Sequence, residues 1–297
     1  MGHAVKTTHL PSKVEFSDRY LSPSVPVVIE GLVSSWPALN KWNPEYLANR
    51  WGEREVPVVS MHDGDYAQGE IKNMLLGDYL RLIGAIDGSS AAGSHASNIG
   101  ENSDSKTTHY LAQVSLAKYF PELLDDIDLP SYFKTENTGA TVIYAGGSLF
   151  SQLHYHPFGS ATLSVISGKK RVRLFAPNQG RNLYPHFWMS NKAHLSKTHH
   201  KEPSPTEFPN FSRAEYIEVT VLPGEMLFIP IYWWHSIENI GVSISVTSFW
   251  SRNWKSRFLP PPGPRGPYLY EPVRKFIGLG RAAITKVARV AGPGHTR

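Results

Sequence analysis

The sequence predicts a mainly β protein, a sandwich or barrel with flanking helices, on three observations. From Ala140 to Trp250, short apolar segments alternate with turn signals at the spacing of a multi-stranded sheet. Eight Trp and 23 Pro suit a chain rich in strands and loops better than a helical bundle. Hydrophobic residues make up 41% of 297, enough for a sizeable core.

Taken in order, residues 25–32 read as a short buried strand ended by Gly31. A helix follows from Asn43 or Pro44 to Arg50: Asn43 suits the N-cap, and Pro44 suits the first turn, where no backbone donor is needed. Residues 56–59 form a second strand. Apolar residues at 75, 76, 79, 80, 82 and 83 predict a helix over 74–83. Residues 84–108 are dominated by Gly, Ser, Ala and Asn without periodicity, so they read as a surface loop or as a lid that orders over substrate. The barrel strands are expected at 140–144, 161–166, 171–175, 216–222, 225–230 and 242–249. An insert over 186–213, carrying His194, His199 and His200, interrupts them.

Beyond Arg252 the composition changes. Pro260, Pro261, Pro262 and Pro264 make a stiff linker. Val273, Phe276, Ile277, Ile284, Val287 and Ala291 then recur at helical spacing among Arg and Lys, which predicts an amphipathic basic helix. Two readings stay open for it: packing or homodimerisation, and adsorption to an anionic membrane surface. Gly278 and Gly280 weaken it as a free helix and favour docking. The chain therefore divides into an N-terminal region (1–139), a β core (140–252) that works as one unit with it, and a C-terminal linker and helix (253–297).

Charge and cysteine usage narrow the function. The formal net charge is +5, but six basic residues lie in the last 27, so the body is nearly neutral and a nucleic-acid partner is not expected. The absence of Cys excludes disulfides and thiolate catalysis. The first 25 residues have no apolar signal-peptide core and no apolar run approaches membrane-spanning length, so the expected location is cytoplasmic.

The chemistry centres on two stretches. In an extended segment, His154 and His156 project to one face and Tyr155 to the other. His235 ends a second apolar run about eighty residues later, and folding can bring it opposite the first pair. Two ligands from one segment and a third from a distant one make an open three-ligand metal site with positions left for substrate and oxygen.

Three segments, residues 223–235, residues 168–175 and the phrase Leu183-Tyr184-Pro185, resemble the JmjC/cupin-8 oxygenases. These are iron- and 2-oxoglutarate-dependent hydroxylases that include the asparaginyl hydroxylase of hypoxia-inducible factor. The resemblance runs from about Pro26 to Trp250. It implies a double-stranded β-helix, a cupin-like jelly roll with its metal at the open end. It implies Fe(II) as the metal, 2-oxoglutarate as co-substrate and O2 as oxidant. His154 and His235 match the family's two histidine ligands, while His156 stands where the family has Asp. Lys170 matches the lysine that pairs with the distal carboxylate of 2-oxoglutarate, and Tyr110 and Ser151 match the hydroxyls that share it. Ser160 and Ser248 fall where relatives often have Asn near the metal and co-substrate. No catalytic group is expected beyond the metal ligands.

Three outcomes remain open at this level. The first is a 2-oxoglutarate oxygenase hydroxylating a C–H bond of a peptide or small molecule. The second is a three-His oxygenase that needs no keto acid, and the third is a non-catalytic binding protein on the same fold.

Overall fold

Helices and strands alternate through the first half of the chain, and strands dominate the second. The computed structural model describes residues 6–7, 9–62, 69–87, 107–130, 133, 138–157, 159–187, 190, 192–198 and 201–250. The predicted linker and helix of the C-terminal segment, the pair His199 and His200, and most of the predicted lid lie outside these residues.

The N-terminal part starts with a short strand, β1 (Lys6–Thr7), helix α1 (Lys13–Phe16) and strand β2 (Val27–Ile29). Strand β2 is shorter than the sequence suggests because Gly31 turns the chain at φ 72°. Helices α2 (Ala38–Lys41) and α3 (Pro44–Trp51) follow. The Asn43 side chain accepts from the Tyr46 amide at 2.7 Å, and Pro44 opens the helix, as predicted. Strand β3 (Glu55–His62) pairs with β4 (Glu70–Leu75), and helix α4 (Leu76–Leu82) follows at once. The expected helix over 74–83 is therefore shorter. Met74 and Leu75 belong to β4, paired with Val56 and Glu55, so cross-strand pairing overrides their helical spacing.

Strand β5 (Thr107–Ser115), helix α5 (Leu116–Tyr119) and strand β6 (Thr138–Gly146) lead into the core. The core is built on two long strands, β7 (Ser160–Phe175) and β10 (Trp234–Trp250), paired antiparallel along their length. Between them in sequence lie β8 (Ile217–Val221) and β9 (Met226–Ile229). The sheet order is β1-β2-β9-β7-β10-β6-β5-β3-β4, with β8 on the far half of β7. This is the mainly β, jelly-roll architecture that the sequence predicts, with α-helices α1–α5 preceding the long core strands.

The segments read as two strands, 161–166 and 171–175, are one strand bent at Gly168. One half pairs with β9 and the other with β8. Gly168 has φ 76°, and a Cβ there would stand 2.2 Å from the Val242 carbonyl oxygen. The β7–β10 register shifts beside it, between Ile240 and Ile244. Only glycine fits this corner, where β7 exchanges β9 for β8 as its neighbour.

The largest core cluster packs the N-terminal helices against the sheet through Phe16, Trp36, Trp42, Phe133, Phe228 and Trp250. Phe133 and Phe228 stack on Trp250 at centroid distances of 4.6 and 5.4 Å. A second cluster joins β7, β8 and β9. Among the described residues, no helix is long and apolar enough to cross a membrane.

Candidate active site

The three histidines meet. His154 and His235 lie opposite each other through a short antiparallel bridge: the His154 amide donates to the His235 carbonyl at 3.0 Å, and the His235 amide donates back at 2.7 Å. His156 sits two residues on, against the Phe249 ring at 5.1 Å. Ring centroids are 4.2 Å apart for His154 and His235, 4.5 Å for His156 and His235, and 5.4 Å for His154 and His156. One nitrogen from each ring lies within 4.8 Å of the other two. Two metal–imidazole bonds of about 2.1 Å span up to about 4.2 Å, so a small inward rotation brings all three rings onto one ion.

Hydrogen bonds fix the tautomers of two of the rings. His154 Nδ1–H donates to the Gln152 carbonyl at 2.8 Å, and His235 Nδ1–H donates to the Trp233 carbonyl at 3.0 Å. Each bond leaves Nε2 as the free base, the form a metal needs. His156 Nδ1 is buried and has no hydrogen-bond partner. An unsatisfied buried nitrogen costs about 1–3 kcal/mol, which coordination of the ring to a cation would offset. Burial lowers the basicity of all three rings, and mutual repulsion adds to this for His156 and His235. The donor set is thus three neutral imidazoles, a set that fits a borderline divalent ion such as Fe(II). It carries one negative charge fewer than the two-His, one-carboxylate arrangement.

The rings line a cavity of about 550 Å³. On another part of its wall lies Lys170, only 1% exposed. Its ammonium donates to Asn239 Oδ1 at 2.6 Å and stands 5.9 Å from the centroid of the Tyr110 ring. No acidic side chain is among the described residues lining the cavity. Burial pulls the Lys170 pKa down from 10.5 to about 7. Its sequence neighbours differ: Lys169 is exposed, and Arg171 pairs with Glu238 at 3.1 Å on the outer surface. This is the period-2 alternation of a strand.

Ser151 and Tyr110 line the same cavity. Ser151 Oγ accepts from the Ile237 amide at 2.8 Å, which leaves its O–H proton to donate elsewhere. Tyr110 is held by a strut that sequence reasoning missed. The neighbouring Leu111 amide donates to the Tyr79 hydroxyl at 3.0 Å, and that hydroxyl donates to the Ala145 carbonyl at 2.6 Å. Tyr79 thereby braces β5 against β6 beside their bulge.

Ser160 and Ser248 are placed differently from the expectation, since neither is among the cavity-lining residues. Ser160 Oγ accepts from the Ile231 amide at 3.1 Å, and Ser248 Oγ shares a 3.1 Å hydrogen bond with Thr141. The reason is strand alternation: Thr247 and Phe249 face the cavity, so Ser248 between them faces away, and Ala161 does the same to Ser160. Asn239, His194 and Gln152 are site residues that the sequence did not flag. His194 and Gln152 line the cavity, and Gln152 Nε2 ties the metal-binding segment to the insert through the Ser196 carbonyl at 2.8 Å.

Comparison with known proteins shows similarity over most of the chain. The family described as a cupin-like domain matches residues 13–256. Lysine-specific demethylase 8 of Xenopus tropicalis is 32% identical over 253 residues, covering 84% of this chain and 53% of the relative. The protein of that name from Danio rerio is 31% identical, covering 83% of this chain and 58% of the relative. The tRNA wybutosine-synthesizing protein 5 of Homo sapiens is 28% identical, covering 82% and 78%. The chain spans a little over half the length of the two demethylases that it matches.

Proposed function

The chain belongs to the cupin-like (JmjC/cupin-8) family, and from that membership we propose that it is an Fe(II)- and 2-oxoglutarate-dependent oxygenase that hydroxylates a C–H bond of a peptide or small molecule. The observation that carries this reading is Lys170, a buried ammonium with no anionic partner among the described residues of the cavity it shares with His154, His156 and His235. A cation left unpaired in an apolar setting is costly unless a ligand supplies the counter-charge. A five-carbon diacid does so at one end and offers a chelating keto acid at the other.

When bound, Fe(II) with O2 supplies the oxidising chemistry: 2-oxoglutarate, O2 and R–H become succinate, CO2 and R–OH. The chain's residues do the rest. His154, His156 and His235 hold the ion through neutral nitrogens. Lys170 pairs with the distal carboxylate, and the hydroxyls of Tyr110 and Ser151 share its remaining lone pairs. Ile229, Ile237 and Leu163 contribute apolar wall to the cavity, and a water-poor setting strengthens the charge pairing.

The relatives' names indicate protein lysine and tRNA chemistry, and the fold alone does not choose a substrate. The nearly neutral body of this chain favours a peptide or small molecule over nucleic acid.

The test is an anaerobic calorimetric titration of Fe(II)-loaded protein with 2-oxoglutarate, followed by succinate measurement in air. Wild type is expected to bind one equivalent and form succinate, and Lys170→Ala to lose both. Equal binding and equal succinate yield in the two proteins would reject the reading.

A further inference from the structure

Lys170 lies directly across the β7–β10 ladder from Asn239. Asn239 is 2% exposed, and three bonds lock it in place. Its backbone amide donates to the Leu149 carbonyl at 2.8 Å. Its Nδ2 donates to the Gly147 carbonyl at 3.1 Å, and its Oδ1 accepts from Lys170 Nζ at 2.6 Å. The carbonyl of Gly147 can only accept, so it decides which way the carboxamide faces. The oxygen must point at the ammonium.

We propose that Asn239 is a positioning residue for the diacid: its carboxamide oxygen aims the Lys170 ammonium into the cavity and, being neutral, leaves that charge unspent for the ligand's distal carboxylate. This rests on the reading of Lys170 as the diacid anchor. An ammonium has three donors. One goes to Asn239, and two remain for the ligand and its hydroxyl partners. A carboxylate at 239 would form an ion pair with Lys170 in a water-poor pocket, and an incoming dianion would have to displace it against like-charge repulsion. An aliphatic residue there would leave the four-carbon stem of the lysine free to rotate. A carboxamide avoids both.

The reading also explains why the pocket tolerates a lysine whose basicity burial has already reduced. A neutral acceptor stabilises the protonated form partly, and the ligand completes the stabilisation.

The experiment compares wild type, Asn239→Asp, Asn239→Ala and Lys170→Met, each loaded with Fe(II) without oxygen. Each is titrated with 2-oxoglutarate and with pyruvate, which has the same 2-oxo acid end and no distal carboxylate. Asn239→Asp is expected to weaken 2-oxoglutarate by roughly 10-fold or more, the scale of one charge-assisted hydrogen bond lost. Asn239→Ala should weaken it by a smaller factor. Pyruvate affinity should stay within about twofold of wild type in both, since it makes no contact that Asn239 controls.

If Asn239→Asp and Asn239→Ala bind 2-oxoglutarate as wild type does while Lys170→Met does not, Asn239 has no positioning role and the diacid reading survives. If both variants lose pyruvate and 2-oxoglutarate alike, the role of Asn239 is structural and the proposal is overturned. If wild type prefers 2-oxoglutarate to pyruvate no more than Lys170→Met does, the diacid reading itself fails. Should Asn239→Asp not fold, Asn239→Ser, whose short neutral side chain removes the carboxamide oxygen, repeats the comparison made with Asn239→Ala.

Discussion

Replacing Lys170 with Met should stabilise the empty protein while abolishing diacid binding. The wild-type side chain is fully buried, and burial takes its pKa from 10.5 to about 7. That difference corresponds to roughly 5 kcal/mol of penalty on the charged form, as an upper figure. Methionine fills nearly the same volume without the charge, but it leaves Asn239 Oδ1 without its donor, which costs about 1–3 kcal/mol. The balance is a gain of about 2 kcal/mol, or roughly 4–8 °C in Tm for a domain of this size. The gain should depend on pH. The unfolded lysine holds its proton up to about pH 10.5 and the folded one only to about pH 7, so wild-type stability rises with pH across that window. The advantage of Lys170→Met is therefore largest below pH 7 and fades as pH approaches 10.5. The assay is chemical denaturation of both proteins, freed of metal and keto acid, at several pH values, with 2-oxoglutarate binding measured separately on Fe(II)-loaded protein. A Lys170→Met protein less stable than wild type at pH 6.5, or one that binds the diacid with unchanged affinity, would refute the account of Lys170 as an unpaired buried cation awaiting an anion.

Two further substitutions test other parts of the architecture. Gly168→Ala should destabilise by about 3 kcal/mol or more, because the added Cβ meets the Val242 carbonyl and the backbone is left-handed there; a denaturation midpoint equal to wild type would remove the corner from the argument. His156→Asp should retain the metal, measured by elemental analysis after purification, and weaken 2-oxoglutarate several-fold because the site's net charge falls by one. An unchanged affinity would show that His156 does not sit close enough to the ion to be felt.

Much of this site was legible because strand periodicity and motif spacing act on nearest neighbours. His154 and His156 share a face because they are two apart, and Lys170 turns inward while Lys169 and Arg171 turn out for the same reason. The helix start at Asn43 and Pro44 was legible for a comparable reason, since capping is settled within one turn. What was missed depends on pairing between distant segments. Asn239 is an ordinary polar residue until the register sets it opposite Lys170. Tyr79 looked like one more apolar position on a helix, yet its hydroxyl bridges two strands. Ser160 and Ser248 were misplaced in the opposite sense. They were carried over by position in a motif, while the strand alternation that put Lys170 in the cavity put these two outside it. Gly168 was visible as a motif residue, but its function as a corner required the Val242 carbonyl to be brought within contact distance.

Among the three outcomes that the sequence left open, the charge inventory of the cavity supports the reading proposed above. A three-His oxygenase without a keto acid gains nothing from Lys170, because the cation lies apart from the rings, 2.6 Å from a neutral amide and next to an aromatic ring. A non-catalytic protein that binds no anion gains less than nothing, since a buried unpaired ammonium lowers stability and an aliphatic residue would serve better. Both alternatives leave the costliest residue of the pocket without a purpose. A dianion that spans the cavity would remove the penalty at Lys170 and bring its other end to the three neutral imidazoles that would hold a divalent ion. With His156 where the family has Asp, no fixed negative charge is among the described residues of the cavity, so the ligand would bring the compensating charge itself. On the proposed reading, that exchange would tie metal and keto acid more closely together. Each is expected to bind more weakly alone than in the other's presence, because neither the ion nor Lys170 finds an anion among the described residues of the cavity.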